Sequence, residues 1–147
     1  MPHDSIKVSF TRLDPELPVP VSAYIGDAAV DLHSRVSLAL QPGERAAVPT
    51  GLAIALPEGY AAIVIPRSGH ALRSGVGLVN SPGLIDSGYR GEIKVIVINH
   101  GEEAVSFERG ERIAQLAILP IPEVQWVEVE TLDETQRGSS GFGSSGS

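Results

Sequence analysis

The stretch Leu52-Ala53-Ile54-Ala55-Leu56-Pro57-Glu58-Gly59-Tyr60-Ala61-Ala62-Ile63-Val64-Ile65 holds two apolar runs with a Pro-Glu-Gly break between them. Short apolar runs bounded by turn residues read as strands, here Leu52–Leu56 and Ala61–Ile65. The pattern repeats outward in both directions. Ile6–Phe10, Val36–Leu40, Ile93–Ile98, Ile113–Leu119 and Val124–Val129 are further expected strands. Their connections carry turn chemistry, in Gln41-Pro42-Gly43-Glu44, Ser81-Pro82-Gly83 and His100-Gly101-Glu102. Only Ser68–Ser74 has room for a short helix. With 16 Gly and 11 Pro available for tight turns, the fold class is all-β, a β-sandwich or jelly roll.

A chain of 147 residues with 42% hydrophobic side chains is one globular domain with a real core. It contains no cysteine, which excludes disulfides, thiolate metal sites and cysteine nucleophiles. The start, MPHDSIKVSF, has no basic segment followed by a long apolar one, so no secretory signal is expected. Apolar runs such as Val95–Ile98 are too short to span a bilayer. The expectation is a soluble, cytoplasmic protein. A net charge of −7 argues against nucleic-acid and anionic-membrane surfaces as partners. An anionic ligand would have to be held by local arginines, backbone N–H groups and a metal ion. Every basic residue except Lys7 and Lys94 is arginine, the type suited to bidentate phosphate contacts.

Known site motifs are mostly missing. Gly141-Phe142-Gly143-Ser144-Ser145-Gly146 matches GxGxxG in form, but no strand closely precedes it and no helix follows. There is no phosphate-loop, nucleophile-elbow or HExxH pattern. His3, His33, His70 and His100 stand singly and read as surface or capping residues, which disfavours zinc.

Four features remain, each with a structural and a functional reading. Asp31, in Ala28-Ala29-Val30-Asp31-Leu32, is a turn or capping aspartate or a functional acid. In Pro66-Arg67-Ser68-Gly69 a strand gives way to the expected helix. Ser68 is then either its N-cap or, with Arg67 and the N–H groups, part of an anion site. Asn80-Ser81-Pro82-Gly83-Leu84-Ile85-Asp86-Ser87-Gly88-Tyr89-Arg90-Gly91 reads as a hairpin. Burial of Asp86 behind Leu84 and Ile85 would raise its pKa toward that of a general base; a solvated turn aspartate is the alternative. Last, Arg137–Ser147 is a Gly/Ser tail around Phe142, either a disordered end or linker or an arm that orders over a ligand.

These segments, with Arg112-Ile113-Ala114-Gln115-Leu116, closely resemble in order and spacing the five motifs of the trimeric dUTPase family, from Asp31 to Gly146. The long hairpin motif is the most specific and separates the chain from the related dCTP deaminases. The resemblance implies a jelly-roll (β-clip) subunit over residues 1–130, with one short helix. It further implies a homotrimer with sites at subunit junctions, and a flexible arm over residues 131–147 closing on the site. It implies Mg-assisted water attack on the α-phosphate of dUTP, giving dUMP for thymidylate synthesis and pyrophosphate.

By the same resemblance, Asn80 and the backbone from Leu84 through Ile85 to Tyr89 would bind uracil in a hairpin too narrow for the thymine methyl. Tyr89 would stack on the deoxyribose and leave no room for a 2′-hydroxyl. Asp86 would contact the 3′-hydroxyl region and act as general base. Arg67, Ser68 and Gly69 would hold phosphates, Gln115 the α-phosphate, and Asp31 the water shell of Mg²⁺. Lys94 is a further substrate contact. Arg137 would pair with the γ-phosphate, Phe142 would cover the base, and Gly143, Ser144 and Ser145 would close on the terminal phosphates. The chain departs from the family pattern at Ala29, Leu84, His70, Ser139 and Ser140, where glycine, threonine, an apolar residue and more glycine are usual. Two other classes share these residues: a nucleotide-responsive regulatory module, and a dCTP deaminase of the same fold. A purely structural β-module leaves Asp86 and the tail without a purpose.

Overall fold

The computed structural model describes residues 5–143, 145 and 146. Eleven antiparallel strands and one helix follow in the order β1 (Ser9–Arg12), β2 (Ala29–His33), β3 (Leu38–Leu40), β4 (Arg45–Pro49), β5 (Leu52–Ala55), β6 (Tyr60–Pro66), α1 (Ser68–Ser74), β7 (Val76–Leu78), β8 (Gly83–Ile85), β9 (Lys94–Asn99), β10 (Val105–Phe107) and β11 (Arg112–Pro120). A four-stranded sheet runs β2-β11-β6-β8 and a three-stranded sheet runs β4-β9-β7. The pairs β1-β5 and β10-β3 complete the structure. Among the described residues the chain is mostly β with one short helix.

The two larger sheets supply most of one continuous core. Leu32, Val64, Ile113 and Leu116 come from the first, and Val48, Val76, Val95 and Val97 from the second, all buried. Alternation is clearest in β9, where Val95, Val97 and Asn99 point inward while Lys94 is exposed. On the other sheet, Val30, Leu116, Val64 and Gly83 form one row across four strands, facing the core. The adjacent row, Asp31-Gln115-Ile65, points to the opposite, outer face.

The helix has the bounds expected from sequence, and the strands over Leu52, Ala61, Ile93, Ile113 and Leu38 differ only at their ends. The first strand is displaced: Ser9–Arg12 pairs with β5, and Ile6–Phe10 is strand only at Ser9 and Phe10. Val124–Val129 forms no strand, correcting the expectation. Its side chains are exposed, Trp126 at 93%, and it pairs with no strand among the described residues. Ser68 is not the N-cap either. Arg67 holds that position in extended geometry, with no side-chain hydrogen bond.

The helix ends where it does because of two glycines and one amide. Gly75 is its C-cap at φ +68°, a left-handed conformation costly for other residues. A Cβ there would stand 2.8 Å from the Gly101 nitrogen, and one on Gly101 would stand 2.5 Å from the Ser74 carbonyl oxygen. The opposing turn is built on Asn99, which is fully buried. Its amide donates to the carbonyls of Leu40 (3.0 Å) and Glu103 (2.8 Å) and accepts from the Gly101 N–H (2.9 Å). Asn99→Ala strands all three groups and is expected to lower unfolding stability by about 2–4 kcal/mol. Chemical denaturation checks this, and an unchanged midpoint would mean that water replaces the amide.

Candidate active site

β11 is the centre of the first cleft. Its Gln115 lies opposite Asp31 of β2 and Ile65 of β6, so an amide and a carboxylate share the outer face. Where β6 ends, Arg67 turns back over this row, and Arg112 reaches it from the start of β11. Arg67 Nε lies 3.2 Å from Asp31 Oδ1 and Arg112 Nε 3.6 Å from Oδ2. The Arg67 contact is close enough for ion pairing but is not aligned as a hydrogen bond, so the buried Oδ1 has no hydrogen-bond partner. With the loop at Tyr24 and Asp27 and with Ala29 of β2, these residues line a cleft of about 590 Å³. Here β6 hands over to α1, so Ser68 and Gly69 follow Arg67 directly, Ser68 exposed.

His70 anchors this corner. Its Nε2 lies 2.9 Å from the Arg112 carbonyl oxygen, and its ring meets Phe107 edge-on with centroids 5.3 Å apart. The polar residue at this position therefore bonds the helix to β11 through one ring nitrogen and still packs an apolar neighbour. His33, two residues along β2 from Asp31, is half-buried. Burial pushes its imidazole below the ordinary value, with Arg112 and Arg67 acting in the same direction against Asp31.

The second cleft, about 340 Å³, lies under the hairpin and is lined by Asn80, Leu84, Ile85, Asp86, Tyr89 and Lys94 over an apolar floor including Val64, Leu78 and Val95. The turn before β8 contains a cis Ser81-Pro82 peptide. Gly83 leaves room for Asn80, whose amide nitrogen would lie 3.2 Å from any Cβ at that position. Past β8, Tyr89 N–H donates to the Asp86 carbonyl (3.1 Å), and Arg90 donates to the carbonyls of Ser87 (2.6 Å) and Tyr89 (3.0 Å). Ile85, the last residue of β8, is buried, and Asp86, just past the strand, is exposed. The burial expected for Asp86 is therefore absent in the single chain, and the carboxylate stands at the mouth of the cleft.

Val64 lines the second cleft and Ile65 the first, on opposite faces of β6. The structure thus brings Asp31, Arg67 and Gln115 together, and separately Asn80, Leu84, Ile85, Asp86, Tyr89 and Lys94. It does not bring these two groups to each other. The tail joins neither: Arg137, Phe142, Gly143 and Ser145 are exposed, and Arg137 Nε donates to its own Ser140 carbonyl (3.0 Å). Ser144 lies outside the described residues. Sequence reading missed Arg112 as an Asp31 partner; the signal available was an arginine just before the Gln115 strand. It also missed Glu92, whose carboxylate accepts from Gly51 N–H (2.9 Å) and Arg35 (3.2 Å) beneath the hairpin.

These features define a class: a mostly-β protein whose arginine-lined cleft suits an anionic ligand, with a smaller, amide-bearing cleft on the other face of the sheet. The dUTPase family model matches residues 16–146. A deoxyuridine 5'-triphosphate nucleotidohydrolase of Gloeobacter violaceus is 52% identical over 145 residues, 97% of this chain and 99% of the relative. One from Streptomyces avermitilis is 52% identical over 147 residues, 99% of this chain and 84% of its own length. The dUTPase of Staphylococcus bacteriophage 80alpha, solved with dUPNHPP, superposes with a TM-score of 0.90 at 27% identity, covering 97% of this chain and all of that one. The chain belongs to the dUTPase family.

Proposed function

We propose that this chain hydrolyses dUTP to dUMP and pyrophosphate, as a jelly-roll homotrimer whose sites lie at subunit junctions. The observation that supports this best is the division of the family's motifs between two clefts on opposite faces of β6. One cleft carries the cations a triphosphate needs, and the other carries the amide and apolar floor a uracil needs. One nucleotide cannot reach through the sheet, so each substrate would use the first cleft of one copy and the hairpin of another. The arm, residues 131–147, would come over both, with Arg137 on the γ-phosphate, Phe142 over the base, and Gly143, Ser144 and Ser145 at the terminal phosphates.

Within that site Arg67, Ser68 and Gly69 bind the phosphates and Gln115 orients the α-phosphate. Asp86 accepts the proton of the attacking water as its oxygen adds to the α-phosphorus and pyrophosphate leaves. Placing the groups and neutralising charge is most of what phosphoryl transfer asks of a protein. Asn80 and the hairpin backbone pair the uracil edge, and Lys94 is a further substrate contact. Cytosine would leave those buried groups unpaired, a stronger rejection than size alone gives against the thymine methyl.

Mg²⁺ fits the first cleft in one particular way. Among the described residues no three His, Cys, Asp or Glu side chains gather as a ligand set. The triphosphate itself would therefore be the main ligand, with Asp31 Oδ1, ion-paired with Arg67 but without a hydrogen bond, accepting from the ion's water shell. When bound, the ion supplies charge neutralisation on the transferring phosphate. Among the described residues no helix is long and apolar enough to cross a membrane, in keeping with a cytoplasmic enzyme.

The test is pyrophosphate and monophosphate release with Mg²⁺ from dUTP, dCTP, dTTP and UTP in parallel. Turnover confined nearly to dUTP is the expected result. Ammonia release from dCTP would move the chain to the deaminases, and binding without turnover would make it a regulatory module.

A further inference from the structure

Tyr89 is held in an unusual way for an exposed aromatic side chain. Its ring folds back over the two residues that follow it, and its hydroxyl donates to the Glu92 carbonyl at 3.0 Å. The ring crosses directly over Gly91. The three atoms nearest to a Cβ built on Gly91 all belong to Tyr89, with the ring Cζ at 2.7 Å and the hydroxyl closer still. Real Cβ contacts are not that short, so any side chain at 91 displaces the ring. Gly91 is not in the left-handed region, so alanine is compatible with its backbone. The reason for glycine here is the ring above it. The far end of this seat is firm. Glu92, which supplies the carbonyl, is tied to Gly51 N–H and to Arg35 through its carboxylate.

We propose that Gly91 is a specificity-determining position, whose bare Cα is the seat that sets the depth of the Tyr89 ring in the hairpin cleft and so the exclusion of a ribose 2′-hydroxyl. Gly91 touches no substrate; it acts only through Tyr89. The inference rests on the reading of Tyr89 as the residue that stacks on the deoxyribose. A steric filter of this kind works by tenths of an ångström, because a rigid ring either fills the space beside C2′ or leaves it open. Raising the ring by one methyl opens that space, while the uracil contacts at Asn80 and the phosphate contacts in the other cleft stay where they are.

The experiment is a double-mutant cycle in the full-length protein, reading the ratio of kcat/KM for dUTP to that for UTP. Gly91→Ala is expected to lower the ratio about tenfold or more, the scale of discrimination a single methyl-sized displacement carries. In a Tyr89→Ala background the same substitution should leave the ratio unchanged, since its only partner is gone. A Gly91→Ala ratio equal to the parent's, with Tyr89→Ala lowering it, would overturn the role of Gly91 and leave that of Tyr89 standing. If Tyr89→Ala itself leaves the ratio unchanged, the Tyr89 reading fails and takes this inference with it. If Gly91→Ala does not fold, the double variant decides. Recovery of the fold once the ring is removed supports the seat, and continued misfolding means Gly91 serves the backbone instead.

Discussion

Asp86→Asn is expected to bind dUTP about as tightly as the parent and to lose roughly 10²–10⁴-fold in kcat, the range a positioned general base contributes. The substitution keeps the size of the side chain and its place at the mouth of the hairpin cleft. Ile85 beneath it stays buried and the Tyr89 N–H still bonds the residue-86 carbonyl, so the turn is unaffected. What is lost is a group that can take a proton from water. Nucleotide titration by calorimetry, run beside single-turnover hydrolysis, separates the two effects. Loss of binding with kcat intact would assign Asp86 to sugar recognition alone. Unchanged turnover would remove it from the chemistry.

Removing Arg137–Ser147 should lower turnover by a comparable factor while leaving the melting temperature and the oligomeric state as they were. The physical reason is the exposure of this segment. From Ile121 onward every described residue is exposed, and the hydrogen bonds of Arg137 and Gly138 reach no further than Thr135 and Ser140. The core ends with β11 at Pro120, so deletion uncovers no apolar surface. A site completed by the arm would lose Arg137 and its cover against water, and both losses fall on the transition state. A truncated chain as active as the parent would show that the two clefts suffice. One that melts early would show that the tail belongs to the fold.

The fold was legible where apolar, β-branched residues run together. In β9 the run Val95–Ile98 marks a strand without help, although which of its faces is buried shows only in the structure. The helix could be bounded from sequence because Ser68–Ser74 is closed by Gly75, a residue that takes positive φ without strain. Short strands were missed where the pattern is mixed. Arg45–Pro49 holds two alanines, an arginine and a proline, and Val76–Leu78 has a glycine at its centre. Each is a strand because a long neighbour, β9, offers it an edge. Val124–Val129 errs the other way: its composition suits a strand, but it lies exposed and pairs with none of the described strands.

The site divides along the same line. Side-chain chemistry brought Asp31, Arg67, Asp86 and the tail forward as candidates, and the family resemblance, carried by contiguous motifs, chose their functional readings and added Gln115. Tertiary structure alone put Arg112 on Asp31 and left Oδ1 without a hydrogen bond. It seated the Tyr89 ring on Gly91, and it set the phosphate-suited and base-suited residues on opposite faces of β6. The first is long-range, since Asp31 and Arg112 meet only because β2 pairs with β11 in one register. The Tyr89–Gly91 contact and the parting of Val64 from Ile65 are local and depend on the backbone conformation. Sequence by itself determined which chemical groups this protein possesses and the family it belongs to. Which groups meet was decided by strand pairing, since contacts between distant segments depend on register, and register depends on the whole core being packed at once.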